Sequence, residues 1–237
     1  MASERIIETK HQKNLFMSIF KFHCRLLRCV SRCFTATTII SYPSTRHDDY
    51  TKLEDEPQTE YNNTKRTIIL DLDETLVHST TQMPGVRYDF MVMVRMETEV
   101  MPIFVVKRPG VTEFLERLGE SFEVVVFTAG VEDYASQVLD KIDRKGVISQ
   151  RLYRDSCTEM NGRYVKDLSM VVGKDLGSAL IVDDNPSSYS LQPENGVPIK
   201  AFVDDLRDQE LMKLVEFLEI CYVYEDMRDA VQDFLAN

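Results

Sequence analysis

The sequence lacks any run of about 18 uncharged apolar residues, which argues against a membrane-spanning helix. It also lacks a secretory signal peptide, and its five cysteines are an odd number. Both features indicate free thiols in a reducing compartment. We therefore expect an intracellular protein, in the nucleus or the cytoplasm, with peripheral membrane or organelle targeting as open alternatives.

Acidic residues are missing from Thr9 to His47, so the charge is divided unevenly along the 237 residues. Residues 1–47 hold eight Lys/Arg and two Asp/Glu, and the remainder holds 20 and 37. Because an acidic body is repelled by the phosphate backbone, we expect no direct nucleic-acid binding. The pattern predicts a basic N-terminal segment, an acidic linker over residues 48–65 and a domain over residues 66–237.

The basic N-terminal segment has three interpretations. Apolar residues such as Leu15, Ile19 and Leu26 recur at helical spacing, with Lys and Arg interleaved. This pattern fits an amphipathic helix that contacts a membrane surface through residues 12–34, with nearby cysteines as sites for acyl chains. A transit peptide and a disordered tail have similar compositions, so all three remain open.

The body alternates strand-like and helix-like patterns. Apolar runs predict three buried strands, Thr67–Leu70, Phe122–Phe127 and Ala179–Val182. Helical patterns cover Val111–Leu118, closed by Gly119, and also Tyr134–Ile142, Leu206–Ile220 and Glu225–Leu235. Strands that alternate with helices predict an α/β fold, a Rossmann-like parallel sheet with helices on both faces.

Two smaller β-features interrupt this alternation. Tyr88–Met96 and Val100–Lys107 predict a β-hairpin. Pro102 indicates that the second strand starts late or lies on an edge, because proline has no N–H for a β-ladder. Asn161–Gly162 is a strong two-residue turn signal. The parallel sheet should therefore carry a small hairpin insertion.

Polar side chains follow each of the three predicted buried strands. Asp71 and Asp73 come after the first, Thr128 after the second, and an Asp183–Asp184 pair after the third. Residues i and i+2 of an extended chain point to one side, and ligands of parallel α/β sheets bind outside the carboxyl ends of the strands. The residues predict an active site at this edge.

Phosphoryl transfer would use most of these groups together with Lys166, which lies shortly before the third strand. It needs an in-line nucleophile, a proton donor for the leaving oxygen, and positive charge on the equatorial oxygens. Asp71 can attack to form an aspartyl phosphate, and Asp73 can transfer the proton. Mg²⁺ prefers oxygen ligands, so Asp71 and Asp184 can hold it. Thr128 and Lys166 would bind the phosphoryl oxygens.

Asp71-Leu72-Asp73-Glu74-Thr75 resembles the Asp-x-Asp-x-Thr signature of the haloacid dehalogenase superfamily. More closely, the chain resembles the small C-terminal-domain phosphatases, which dephosphorylate serine on proteins. Three further motifs carry the resemblance: Phe127-Thr128-Ala129-Gly130, Lys166-Asp167-Leu168 and Val182-Asp183-Asp184-Asn185-Pro186. Many of those relatives have Asp-Asn-Ser-Pro where this chain has Asp-Asp-Asn-Pro. Since either residue type can give one oxygen to Mg²⁺, the difference bears on metal affinity.

The resemblance implies a role for each residue. Asp71 would be the nucleophile, Asp73 the acid/base with its backbone carbonyl on the metal, and Asp184 a further metal ligand. Tyr134 and Arg154 match positions that line the peptide cleft of the family. The sequence leaves open whether Asp183 orients Lys166 or shapes the turn. Lys107 and Arg108 are candidates for contacts with a bound peptide. His78 is expected to have a structural role.

The segments between the motifs are too short to hold a cap domain, which needs at least about 50 residues. Phosphatases of the superfamily that act on small metabolites commonly have such a cap. We therefore expect an open site and a Mg²⁺-dependent phosphatase that acts on phosphoserine or phosphothreonine of a protein segment. The resemblance suggests the RNA polymerase II C-terminal domain as a substrate. A small-molecule phosphatase and a non-catalytic peptide-binding scaffold are the alternatives.

Overall fold

The computed structural model describes residues 65–83, 87–96 and 99–236. The predicted basic segment and nearly all of the predicted linker lie outside these residues, so both stay predictions. Each helix within the described residues is too short or too polar to cross a lipid bilayer.

A five-stranded parallel sheet forms the centre of the fold, as predicted. In spatial order its strands are β10 (Gly196–Pro198), β9 (Ala179–Asp183), β1 (Thr67–Leu70), β5 (Glu123–Phe127) and β6 (Ile148–Leu152). Every neighbouring pair is parallel. β1 is central and fully buried because Ile68, Ile69 and Leu70 put apolar side chains on both faces, which a parallel sheet covered on both sides requires. β6 and β10, at the two edges, have mixed compositions and were not predicted.

The two faces of this sheet are covered by different elements. The α-helices of the described residues are α1 (Val111–Ser121), α2 (Glu132–Ile142), α3 (Ser169–Val172), α4 (Glu210–Cys221) and α5 (Met227–Ala236). The larger core joins Ile68 and Leu70 of β1 to residues of α1, α2, α4 and α5. The smaller core joins Ile69 to Leu168, Tyr189 and the short α3. Successive side chains of β1 point to opposite faces of the sheet, so the strand contributes to both cores.

A three-stranded antiparallel sheet contains the predicted hairpin. β4 (Glu99–Lys107) lies between β2 (Val77–Thr80) and β3 (Phe90–Met96). β4 begins before Pro102, so the expectation of a late start is wrong. The edge alternative holds locally among the described strands, because β2 pairs with Phe104 to Lys107 and leaves β4 with one neighbour at Pro102. The missing N–H of Pro102 therefore costs no hydrogen bond to β2.

Several predicted boundaries shift, including those at Gly119 and Leu206, and one turn is confirmed. Gly119 does not end α1, which continues to Ser121. A Cβ at Gly119 would lie 2.6 Å from Val147 Cγ1, so the glycine permits close packing there. The penultimate helix starts at Glu210 rather than Leu206. Asn161 and Gly162 have φ angles of 53° and 72° and join β7 (Thr158–Met160) to β8 (Arg163–Val165).

Candidate active site

Asp71 and Asp73 leave the sheet where β1 ends. The Asp71 N–H donates to Val182 O at 2.9 Å, which continues the pairing of β1 with β9 by one residue. Leu72 is fully buried between the two acids, so both carboxylates can face the cleft. The chain then turns at Glu74, whose φ of 60° is rare for a non-glycine residue. The sequence predicted this placement from the two-residue period of a strand.

Lys166 is the buried cation of the site. Its side chain is 1% exposed, and Nζ lies 2.5 Å from Asp71 Oδ1 and 2.7 Å from Asp183 Oδ2. Its backbone N–H donates to Ser188 O at 2.7 Å, which fixes the segment after β8 against the loop after β9. Burial opposes the ammonium charge, but Asp71 and Asp183 together hold the pKa of Lys166 above its ordinary value. Lys166 therefore stays charged beside the predicted nucleophile.

Asp183 does both of the things that the sequence left open. Oδ2 accepts from Lys166 Nζ, and Oδ1 accepts from Asn185 N at 2.7 Å within the turn after β9. Burial and the neighbouring Asp71 carboxylate raise the pKa of Asp183. Asp183 thus orients Lys166 and shapes the loop that carries Asp184, a double role that spacing alone could not show.

A cluster of carboxylate oxygens lies beside Lys166. Carboxylate oxygens of Asp71, Asp183 and Asp184 lie within 4.8 Å of one another. Lys166 is close enough to balance part of their charge, and hard cations such as Mg²⁺ prefer such oxygens. The donor set therefore fits a divalent metal. The predicted ligands Asp71 and Asp184 are both in the cluster, whereas the side chain of Asp73 faces a different partner.

That partner is Tyr134 on α2. Its hydroxyl donates to Asp73 Oδ1 and lies 2.5 Å from Ser79 Oγ on β2, so three elements meet through one chain of hydrogen bonds. Burial, and secondarily the charges of Asp71 and Glu74, raise the pKa of Asp73 to about 7, although the Tyr134 hydrogen bond works against the shift. The sequence placed Tyr134 in the peptide cleft but did not predict this contact with Asp73.

Thr128 sits in the loop after β5 and is 1% exposed. Its N–H donates to Leu152 O at 2.9 Å, and its Oγ1 accepts from Gly130 N at 2.9 Å. A Cβ at Gly130 would lie 3.2 Å from Thr128 Oγ1 and 3.5 Å from Asp73 Oδ2. The glycine therefore lets this loop pass close to both predicted catalytic side chains, in agreement with the predicted placement of Thr128.

Arg154 lines the cleft beside this loop. Its Nε donates to Ala129 O at 2.7 Å, and its guanidinium stacks over the ring of Tyr164 at 5.1 Å. The side chain is exposed, so its remaining N–H groups can reach a bound molecule. The structure thus brings Arg154 to the site, next to Thr128.

Arg108 was wrongly predicted to read a peptide, because it is 1% exposed. Its guanidinium forms a bidentate pair with Asp208 at 2.9 Å and donates to Thr75 O and Lys200 O. Lys107 is also not among the residues that line the cleft. His78 Nδ1 lies 2.9 Å from Glu74 Oε1, in keeping with its predicted structural role.

The cleft has a volume of about 420 Å³ and two unlike ends. The charged end holds the acidic cluster, Lys166 and Thr128. The apolar end is lined by Val94 and Ile103 of the antiparallel sheet, which form the apolar wall, and by Val131 and Tyr134. Among the described residues, the insertions between the motif-bearing strands are the β2–β4–β3 sheet and the β7–β8 hairpin. Neither has the size of a cap domain, in agreement with the prediction.

Comparison of the sequence with known proteins identifies the family of this chain. Residues 66–229 match the sequence model of the NLI interacting factor-like phosphatases. The chain is similar to a probable C-terminal domain small phosphatase of Dictyostelium discoideum, with 48% identity over 163 residues, 69% of this chain and 53% of the relative. It is 46% identical over 155 residues to the human CTD small phosphatase-like protein, 65% of this chain and 55% of the relative.

Phosphatase PSR1 of Saccharomyces cerevisiae is 44% identical over 163 residues, 69% of this chain and 38% of the relative. The chain thus spans about half the length, or less, of these curated relatives. The solved structure of Fcp1, an essential RNA polymerase II CTD phosphatase, has a TM-score of 0.59 at 19% identity, covering 67% of this chain and 62% of that one. At this identity the likeness concerns the fold.

Proposed function

Because the chain belongs to the NLI interacting factor-like phosphatase family, we propose that it is a Mg²⁺-dependent protein serine/threonine phosphatase that works through an aspartyl phosphate. One observation carries the proposal. Asp71, at the end of the central strand, lies 2.5 Å from a buried lysine and within a cluster of oxygen ligands. A nucleophile, a cation and a metal site are thereby next to one another.

In the first step, Asp71 attacks phosphorus and the bond from phosphorus to the seryl oxygen breaks. Asp73 gives its proton to that oxygen, and the protein alcohol leaves. A pKa of about 7 keeps a sizeable fraction of Asp73 protonated at neutral pH, as a general acid requires. Lys166 and Thr128 bind the non-bridging oxygens and stabilise the charge that develops on them.

In the second step, a water molecule attacks the phosphorus of the aspartyl phosphate. Asp73, now a carboxylate, takes the proton of that water. The bond between phosphorus and Asp71 breaks, which releases inorganic phosphate and restores both acids. Tyr134, which donates to Asp73, keeps this carboxyl group in the cleft during both steps.

Asp71 and Asp184, with the backbone carbonyl of Asp73, would hold Mg²⁺. The metal would supply positive charge to the transferring phosphoryl group and reduce its repulsion by the carboxylates. The fit rests on the three carboxylate oxygens within 4.8 Å and on the preference of Mg²⁺ for such ligands.

An open cleft with an apolar end supports a phosphorylated protein segment as the substrate. Ile103 is half-buried and offers surface to apolar side chains beside a phosphoserine, and the core residue Val94 lies in the same lining. A sugar phosphate has no apolar side chain to bury there. A relative is named as a small phosphatase of the carboxy-terminal domain of RNA polymerase II. That domain is therefore the first substrate to test.

The experiment compares two substrate classes at equal concentration. With Mg²⁺, the protein should hydrolyse an aryl phosphate, lose this activity in excess EDTA and regain it when Mg²⁺ is restored. It should hydrolyse peptides from a phosphoserine and phosphothreonine library faster than sugar phosphates. Faster turnover of sugar phosphates would favour the small-molecule alternative. Phosphopeptide binding without turnover would favour the scaffold.

For residues 12–34 we propose contact with a membrane surface. Replacing Lys21, Arg25 and Arg28 by glutamate in the full chain should abolish flotation with anionic liposomes, because it reverses the attraction to the lipid charge. Hydrolysis of an aryl phosphate should stay unchanged. Unaltered flotation would refute the contact. Loss of flotation in this variant would support a membrane-associated pool of the protein inside the cell.

A further inference from the structure

The outer edge of β3 is held by the neighbouring helix. Among the described strands, β3 pairs with β4 only. On the other side, the Arg95 N–H donates to Asp133 Oδ2 at 2.9 Å, and Met93 O accepts from Gln137 Nε2 at 2.9 Å. Both acceptor and donor side chains belong to α2. We call Asp133, Gln137 and these two hydrogen bonds the edge latch.

The edge latch brackets a residue that lines the cleft. Val94 lies between Met93 and Arg95, is 1% exposed as a whole residue and contributes to the apolar end. Its partner across the ladder is Met101, two residues from Ile103. Fixing the backbone on either side of Val94 therefore fixes the apolar wall of the cleft. Edge strands otherwise lack backbone partners on one side and are easily displaced.

The same turn of α2 also contacts the charged end of the cleft. Tyr134 follows Asp133 directly and its hydroxyl donates to Asp73. Gln137 lies one turn further along and also donates to Asp133 O at 2.6 Å. Residues three and four apart share a helix face, so one rigid turn of α2 holds the predicted acid/base and the apolar wall together. The spacing between the two ends of the cleft is set there.

We propose that Asp133 and Gln137 are positioning residues for substrate specificity. They hold the apolar wall at the distance from Asp71 that a phosphoprotein segment requires. A small aryl phosphate occupies only the charged end and does not depend on the wall. The inference rests on the proposed protein phosphatase activity, and it adds two residues that touch no reacting atom.

Four single variants of the full chain test the edge latch. Gln137→Glu removes the donor to Met93 O, and Asp133→Ala removes the acceptor for Arg95. Asp133→Asn keeps an acceptor oxygen, and Ser136→Ala changes only a hydroxyl that bonds within α2 to Glu132 O. We expect the first two to raise KM for a phosphoserine peptide of the RNA polymerase II domain by about five- to tenfold, the effect of one or two lost hydrogen bonds. The last two should match the wild type.

The kcat/KM for an aryl phosphate should stay within about twofold in all four variants, since the charged end keeps its contacts. Equal losses on both substrates, or no loss on either, would overturn the proposal. Hydrogen exchange gives a readout without turnover: the Arg95 amide should exchange faster in Asp133→Ala and unchanged in Asp133→Asn. If the wild type hydrolyses neither substrate, the phosphatase proposal fails, and exchange together with calorimetric phosphopeptide affinity still decides the latch.

Discussion

The two ends of the cleft are built in opposite ways. The charged end lies where the central strands of the parallel sheet end. There Asp183 of β9 and Lys166, which follows β8, are each 1% exposed and are joined by a short ion pair. The apolar wall lies on β3 and β4 of the antiparallel sheet, and exposed or half-buried side chains hold the edge strand β3 through two single hydrogen bonds. The chemistry is thus fixed by the core, whereas recognition rests on contacts that can loosen separately.

The largest effect should follow from removing the nucleophile. Asp71→Asn should lower kcat for an aryl phosphate by about a thousandfold or more, because an amide oxygen cannot form the aspartyl phosphate at a useful rate. The control, Asp140→Asn, changes only a surface pair with Arg151 and should leave kcat unchanged. Steady-state kinetics with Mg²⁺ measure both, and near-normal turnover of Asp71→Asn would exclude the proposed mechanism.

The buried cation should matter for stability as well as activity. Without metal, Lys166→Met should lower the free energy of unfolding by about 3–5 kcal/mol, because Asp71 and Asp183 lose their buried partner. Lys145→Met removes a surface pair with Glu116 and should cost at most about 1 kcal/mol. Urea denaturation compares the two. Equal costs would mean that the ion pairs of Lys166 stabilise the fold no more than a surface pair does.

Changes in the apolar wall should alter KM for phosphopeptides but not for an aryl phosphate. Ile103→Ala removes contact surface from the cleft and should raise KM for a phosphoserine peptide by about tenfold, with little change for an aryl phosphate. Met91→Ala alters the outer face of the same sheet, where Met91 is 45% exposed, and serves as the control. A tenfold effect of Met91→Ala would place peptide recognition on the outer face instead.

The smallest effect concerns pH. Since the folded pKa of Asp73 is raised to about 7 from 3.8, the native protein binds a proton that the unfolded chain has lost. Its contribution to stability is full below pH 3.8 and is lost as pH rises towards 7. Asp73→Asn should therefore flatten the decline of stability over this range. Chemical denaturation of metal-free protein at several pH values measures it, and an unchanged slope would contradict the raised pKa.

Much of the fold was predictable from local patterns. Buried parallel strands read as apolar runs, which located β1, β5 and β9, and Asn161–Gly162 located a turn. The edge strands β6 and β10 were missed because their mixed composition gives no such run. Gly119 was misread as a helix end, since its role depends on Val147, which approaches from another element.

By itself, the sequence determined which groups follow the carboxyl ends of β1, β5 and β9, because the period of a strand and the direction of a parallel sheet are local rules. That was enough to predict that Asp71, Thr128 and Asp184 meet, and the family resemblance added Lys166 to them. Only the tertiary structure decided that Asp183 orients Lys166, that Arg108 is buried on Asp208, and that α2 links Asp73 to the apolar wall. These contacts join residues distant along the chain, and their distances depend on how the helices pack.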